Sequence, residues 1–135
     1  MFVVDASVAL AWCFEDEASL YADQILGQLE AGNAWAPSIW PLEIANALRV
    51  AEKRKRLNAA EIPRLRQLLG ALPVAVEPVD VESALGEVLE LARALDLTSY
   101  DAAYVALALR RQAPLATADA ALREAARKAG VSLAT

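Results

Sequence analysis

The sequence predicts an α/β fold, a three-layer sandwich with a central short parallel sheet flanked by helices. Three observations predict it. Short apolar runs alternate with helical patterns, the order that parallel strands with crossover helices require. Runs such as Phe2-Val3-Val4 and Val74-Ala75-Val76 are continuously apolar, as in strands covered on both faces. Alanine supplies 31 of the 135 residues, which favours helix and close packing of helices on a sheet.

The elements follow in order. Phe2 to Val4 reads as a strand, and Ala6 to Phe14 as a helix. Glu17 to Ala31 reads as a second helix, because Leu20, Ile25, Leu26 and Leu29 recur near the 3.6 period. Gly32-Asn33 breaks it, and Ala34 to Ala36 is a short strand. Pro37-Ser38 punctuates the chain before a long helix, Ser38 to Arg56, and another covers Asn58 to Leu72. Val74 to Val76 is a strand, Asp80 to Leu95 a helix, and Ser99 to Arg111 a helix rich in small residues. Leu115 to Thr117 is a strand, Ala120 to Ala129 a helix, and Val131 to Leu133 a last strand. No repeat or Gly/Ser linker interrupts this order, so residues 1–135 are expected to form a single domain.

Composition narrows the chemistry. There is no histidine and one cysteine, Cys13, in an apolar run where a buried thiol is the plain reading. Ser-His-Asp and Cys-His mechanisms, histidine metal sites and zinc clusters are excluded. The lone cysteine suits a reducing compartment. Met1-Phe2-Val3-Val4-Asp5 lacks a basic leader, and no apolar run approaches the ~20 residues of a membrane span. A cytoplasmic protein with no membrane association is expected.

In open parallel sheets, ligands gather beyond the carboxyl ends of the strands. Four acids fall there. Asp5 follows the first strand, Glu43 lies in the first turns of the helix after the second, Asp101 opens the Ser99 helix, and Asp119 follows the Leu115 strand. Each alone has a structural explanation. Asp5 and Asp119 can cap helices, Thr98-Ser99-Tyr100-Asp101 resembles a capping box, and Glu43 suits a helix dipole. Together, four converging carboxylates repel unless a cation neutralises them, and Mg²⁺ or Mn²⁺ takes oxygen ligands of this kind. Ser7, Asn46 and Thr117 lie beside the acids as supporting polar groups. The net charge of −5 then fits a metal site, since the other acids nearly balance the 13 basic residues.

The sequence resembles the PIN-domain ribonucleases, and among them the VapC-type toxins of bacterial toxin–antitoxin pairs. The resemblance rests on Val3-Val4-Asp5-Ala6-Ser7-Val8-Ala9, Pro41 to Leu48 around Glu43 and Asn46, Leu97 to Ala108 around Asp101, and Leu115-Ala116-Thr117-Ala118-Asp119. It covers essentially the whole chain, in order; no single piece is specific, but the set of four is. The resemblance implies a PIN-like sandwich, a Mg²⁺- or Mn²⁺-dependent endoribonuclease acting on RNA, a homodimer and a small VapB-like antitoxin partner. It maps the catalytic and metal-binding quartet onto Asp5, Glu43, Asp101 and Asp119.

RNA also needs a cationic surface. Arg49, Lys53, Arg54, Lys55 and Arg56 lie past Glu43 on the same long helix, roughly 9–20 Å away at 1.5 Å per residue, and could follow a phosphate backbone. Charge complementing a helix C-terminus explains them equally. Three alternatives stay open at this level: a PIN-fold nuclease in RNA processing or repair, an inactive PIN-like binding module, and an aspartyl-phosphate enzyme. The last is disfavoured, because Lys53, Lys55 and Lys128 are the only lysines and none follows a strand.

Overall fold

A computed structural model describes residues 1–135. Four parallel strands form the sheet: β1 (Phe2–Val4), β2 (Ala34–Pro37), β3 (Val74–Glu77) and β4 (Leu115–Ala116), in the spatial order β3-β2-β1-β4. The chain therefore steps outward from β1 to β3 and then returns to the other side of β1. That reversal makes the crevice between β1 and β4 a topological switch point, the usual place for a ligand in such sheets. Register is fixed by Val3 opposite both Trp35 and Leu115.

Helices α1 (Ala6–Cys13) and α2 (Leu20–Ala31) connect β1 to β2, and α3 (Ile39–Lys53) and α4 (Ile62–Gly70) connect β2 to β3. The return to β4 runs through α5 (Val81–Ser83), a π-helical stretch at Ala84–Val88, α6 (Leu89–Leu95) and α7 (Ser99–Arg111); α8 (Ala120–Lys128) follows β4. The fold class expected from the sequence, a sandwich of helices about a short parallel sheet, is the one observed.

Local chemistry moves several boundaries. Helix α2 starts at Leu20 rather than Glu17, because the Ser19 hydroxyl accepts from the Ala22 N–H at 3.1 Å and Glu15–Glu17 forms a separate 3₁₀ turn. The helix expected from Asn58 opens as a 3₁₀ turn, Ala59–Glu61, closed by a capping box between Asn58 and Glu61. Pro63 then sits in the first turn of α4, where its missing N–H is no loss. The strand expected at Val131–Leu133 shrinks to one bridge, Leu133 to Leu115. With β4 only two residues long, there is little ladder to extend.

Helix α7 is the buried axis of one layer. Seven consecutive residues, Ala102 to Ala108, are buried, because α7 packs on β1, β2 and β4 while α6 and α8 cover its flanks. Its alanines permit this approach on several sides. Its far end is tethered by charge: Arg110 meets Glu87 at 2.6 Å and Glu77 at 3.2 Å, and Arg111 pairs with Glu77 while stacking on Trp35 at 4.8 Å. These pairs are partly exposed, so they orient the helix more than they stabilise it. Burial supplies the stability, through Val3, Val4, Val8, Ile25, Leu107 and Leu115 about the sheet.

Leu115 is wholly buried at the switch point, so Leu115→Ala should destabilise the fold by about 3 kcal/mol in urea unfolding. Leu85→Ala, at a side chain 68% exposed, should change stability by less than about 0.5 kcal/mol in the same assay.

Candidate active site

The carboxyl ends of the strands carry a hydrogen-bonded knot across the switch point. Asp5 leaves β1, caps α1 by accepting from the Val8 N–H at 3.1 Å, and is 4% exposed. Its Oδ1 also accepts from the Ser7 hydroxyl at 2.7 Å, and its Oδ2 from the Thr117 hydroxyl at 2.5 Å. Thr117 follows β4 and is buried; its Oγ1 accepts from the Asp119 N–H at 3.0 Å. Ser7 Oγ in turn accepts from the Ala118 N–H at 2.9 Å. Ser7 and Thr117 thus bind the end of β1 to the end of β4 through one carboxylate. From above, the buried Trp40 indole donates to the Asp5 carbonyl at 3.1 Å and ties the start of α3 to the same point.

The other three acids surround this knot. Asp119 caps α8, its Oδ1 accepting from the Leu122 N–H at 2.9 Å, and its side chain is exposed. Glu43, on α3, accepts from the Tyr104 hydroxyl of α7 at 2.5 Å. Asp101 stands one turn before Tyr104 on α7. The Thr98 hydroxyl accepts from the Asp101 N–H at 3.1 Å, but the reciprocal half of a capping box is missing, so the Asp101 carboxylate has no protein donor. Its capping explanation therefore lapses, while those for Asp5 and Asp119 hold alongside any other role.

Electrostatics shows that the acids feel one another. Burial pushes the Asp5 carboxyl up to about 6; bonds from Thr117, Ser7 and Val8 restrain the rise, and the Asp119 charge adds to it. Glu43 is raised by burial and by Asp101, against the lowering bond from Tyr104. Asp101 is raised by burial and then by Asp119. Burial and the same carboxylates push the Tyr104 phenol far above its ordinary range, so at neutral pH it is a donor.

The donor set suits a hard cation in kind. It is all oxygen, it is mutually repulsive, and Glu43 Oε2, Asp119 Oδ2 and both Asp101 oxygens accept no protein hydrogen bond. As the side chains stand, no three acids are close enough to form a finished ligand cluster. The arrangement is an acidic edge that a cation would draw together.

The remaining expected residues divide. Ser7 and Thr117 support Asp5 directly. Asn46 is exposed and bonds to none of the four acids. Arg56 is committed elsewhere, to Asp16 at 2.9 Å and over the Phe14 ring at 4.8 Å, whereas Arg49, Lys53, Arg54 and Lys55 are exposed and free of ion pairs. Two residues outside the expected quartet join the site: Trp40, which packing alone would explain, and Tyr104, which shares a helix face with Asp101 three residues before it.

The PIN domain family model matches residues 2–128. The VapC ribonuclease Mb0985 of Mycobacterium bovis is 38% identical over 124 residues, covering 92% of this chain and 90% of that protein. The crystal structure of PAE2754 from Pyrobaculum aerophilum superposes with a TM-score of 0.68 at 28% identity, over 92% of this chain and 84% of that one. A toxin–antitoxin complex from Klebsiella pneumoniae shares the fold, with a TM-score of 0.61 at 17% identity over 88% of this chain and 87% of that one.

The raised Asp5 has a consequence for stability. Below about pH 4 the carboxyl is protonated in both folded and unfolded chains; between about 4 and 6 only the unfolded chain ionises, so stability falls as pH rises. Asp5→Asn should therefore gain about 2–3 kcal/mol over the parent at pH 7.5 and almost nothing at pH 3.5, as read by paired denaturant titrations.

Proposed function

This chain belongs to the PIN domain family, and on that premise we propose that it is an endoribonuclease that hydrolyses RNA phosphodiester bonds with the help of Mg²⁺ or Mn²⁺. The observation that carries the reading is the edge of four mutually repelling carboxylates, one of them buried, at the switch point of the sheet. The relatives named VapC ribonucleases support it. On the same reading the chain acts as the toxin of a VapBC-type pair. An antitoxin partner, a homodimer, a cytoplasmic setting and a single nuclease domain over residues 1–135 belong to the same reading. No helix is long and apolar enough to cross a membrane.

Asp5, Asp101 and Asp119 would hold the cation, with Glu43 acting through a water. When bound, the cation neutralises the acids, polarises a phosphodiester oxygen and lowers the pKa of a water. The chain's own groups then have distinct tasks. Ser7, Thr117 and the Val8 N–H fix the Asp5 carboxylate in one orientation, with Oδ2 accepting one bond to the two of Oδ1. Tyr104 holds Glu43 by Oε1 and leaves Oε2 without a protein donor, as the atom that would take a proton from the attacking water. Asp101, bound to no protein donor, is free to turn. Arg49 and Lys53 of α3, with Arg54 and Lys55 just past its end rather than on the long helix expected to run to Arg56, offer the phosphate backbone a cationic track that offsets the repulsion at the acids.

Purified protein should cut mixed RNAs in Mg²⁺ or Mn²⁺, lose that activity in EDTA, and regain it when metal is restored. Asp101→Asn should lower the cleavage rate at least about 100-fold with an unchanged far-ultraviolet spectrum and a melting temperature no lower than the parent's. Cleavage that persists in EDTA, or in Asp101→Asn at the parental rate, contradicts the reading.

A further inference from the structure

One cation of this chain is placed as no other is. Of the 13 lysines and arginines, Arg123 alone is half-buried; the rest are exposed. It stands fourth in α8, one turn after Asp119, and its backbone N–H donates to the Asp119 carbonyl at 2.9 Å. Its side chain turns back toward the end of β4, where Nη1 donates to the Thr117 carbonyl at 2.8 Å. The Thr117 hydroxyl donates in turn to Asp5, so the guanidinium lies no more than about 10 Å from the Asp5 carboxylate.

The ordinary explanations for an arginine fall short here. Arg123 joins none of the ion pairs, although a partly buried charge without a counter-charge is costly. It sits toward the N-terminal end of its helix, where the dipole disfavours a cation; Arg127 and Lys128, in the last turn, have the favoured place. What holds it is a ring and a carbonyl. The guanidinium lies 5.2 Å from the centre of the Tyr21 ring of α2, and the Tyr21 hydroxyl is itself tied to the Ala134 carbonyl at 2.8 Å. These contacts orient the planar group yet use only Nη1. Nε and Nη2 bond to nothing in the protein, and they are the two donors of one edge of the guanidinium. Such a pair is the fork that matches a phosphate.

We propose that Arg123 binds a phosphate of the RNA strand next to the one that is cut, through Nε and Nη2. The inference rests on the ribonuclease reading and deepens it by adding a point of attachment on the β4 side of Asp5. The cations past Glu43 belong to the helix that follows β2, on the other side of β1. A strand held at both places crosses the acids in a defined direction. The way Arg123 is anchored suits the task. Tied to a backbone carbonyl and a ring rather than to a carboxylate, it keeps its whole charge for the substrate. It also leaves the four acids unneutralised, as a metal requires. Because ring and carbonyl already fix the guanidinium, little side-chain freedom is lost when a phosphate arrives.

The test takes a short RNA that the parent cuts at one place in Mg²⁺ and replaces its linkages, one at a time, by neutral methylphosphonate. Parent, Arg123→Gln and Arg123→Lys are compared on the whole set, after melting curves confirm that each is folded. For the parent, neutralising one linkage beside the cut should raise KM about tenfold. Arg123→Gln should raise KM about tenfold on the unmodified RNA, keep kcat within about twofold, and lose nothing further at that linkage. At fixed Mg²⁺, its slope of log kcat/KM against log monovalent salt should be shallower by about 0.7, the share of one phosphate contact on a single strand. Arg123→Lys, which has the charge without the fork, should keep the parental slope and recover part of the KM. If the parent cleaves and Arg123→Gln stays as sensitive as the parent to every neutral linkage, the phosphate site is overturned and the ribonuclease reading stands. A fall in kcat at unchanged KM also overturns it, because the arginine then acts only by positioning Thr117 and Asp119. If the parent cleaves no RNA, both readings fall together.

Discussion

A buried carboxylate at the centre of a parallel sheet is the constraint on which the rest of this structure depends. Asp5 ends the central strand, starts the first helix, and receives bonds from Ser7, Val8 and, across the switch point, Thr117. Parallel strands have no hairpin to join them, so β1 and β4 pair across the whole intervening chain. The hydroxyls of Ser7 and Thr117 give that long-range pairing a defined geometry. The position of Asp119 follows from it, because the Asp119 N–H is itself held by Thr117.

The same carboxylate sets stability against chemistry. Its donors lower the energy of the charged form, yet burial outweighs them and the group remains hard to ionise. Neighbouring acids make matters worse, since Asp119 and Asp101 raise the carboxyls beside them. A fold selected for stability alone would place an amide at position 5 and spread the acids out. Their concentration at one edge is intelligible as a site whose missing charge arrives with a ligand. Tyr104 fits this logic, as it spends a buried hydroxyl on orienting a glutamate that would otherwise be free to rotate.

Much of the architecture could be read from local patterns. Helix α7 has the bounds that Thr98 and the small-residue run predicted, because capping and periodicity are both local and agree there. Asp5 and Asp119 could be placed because each directly follows an apolar strand. What escaped is tertiary. The π-helical stretch has no sequence mark beyond an ordinary helix pattern; it lies where the chain entering α6 packs over α7. The Arg56–Asp16 pair joins residues 40 apart, so a basic run that looked uniform has one member withdrawn. Asn46 shares a spacing with Glu43, yet Glu43 is turned toward Tyr104. Periodicity tells which residues share a helix face, and packing decides which way a long side chain bends.

Trp40 gives this arrangement a use of a different kind. Its indole is buried, 6% exposed, and bonded to the backbone of the residue at the heart of the site, while Trp12 and Trp35 are only partly covered. A water-soluble quencher will therefore dim the outer two tryptophans first and leave an emission dominated by Trp40. The protein thus carries its own optical probe beside Asp5, and occupancy of the acidic edge can be followed by fluorescence without a label.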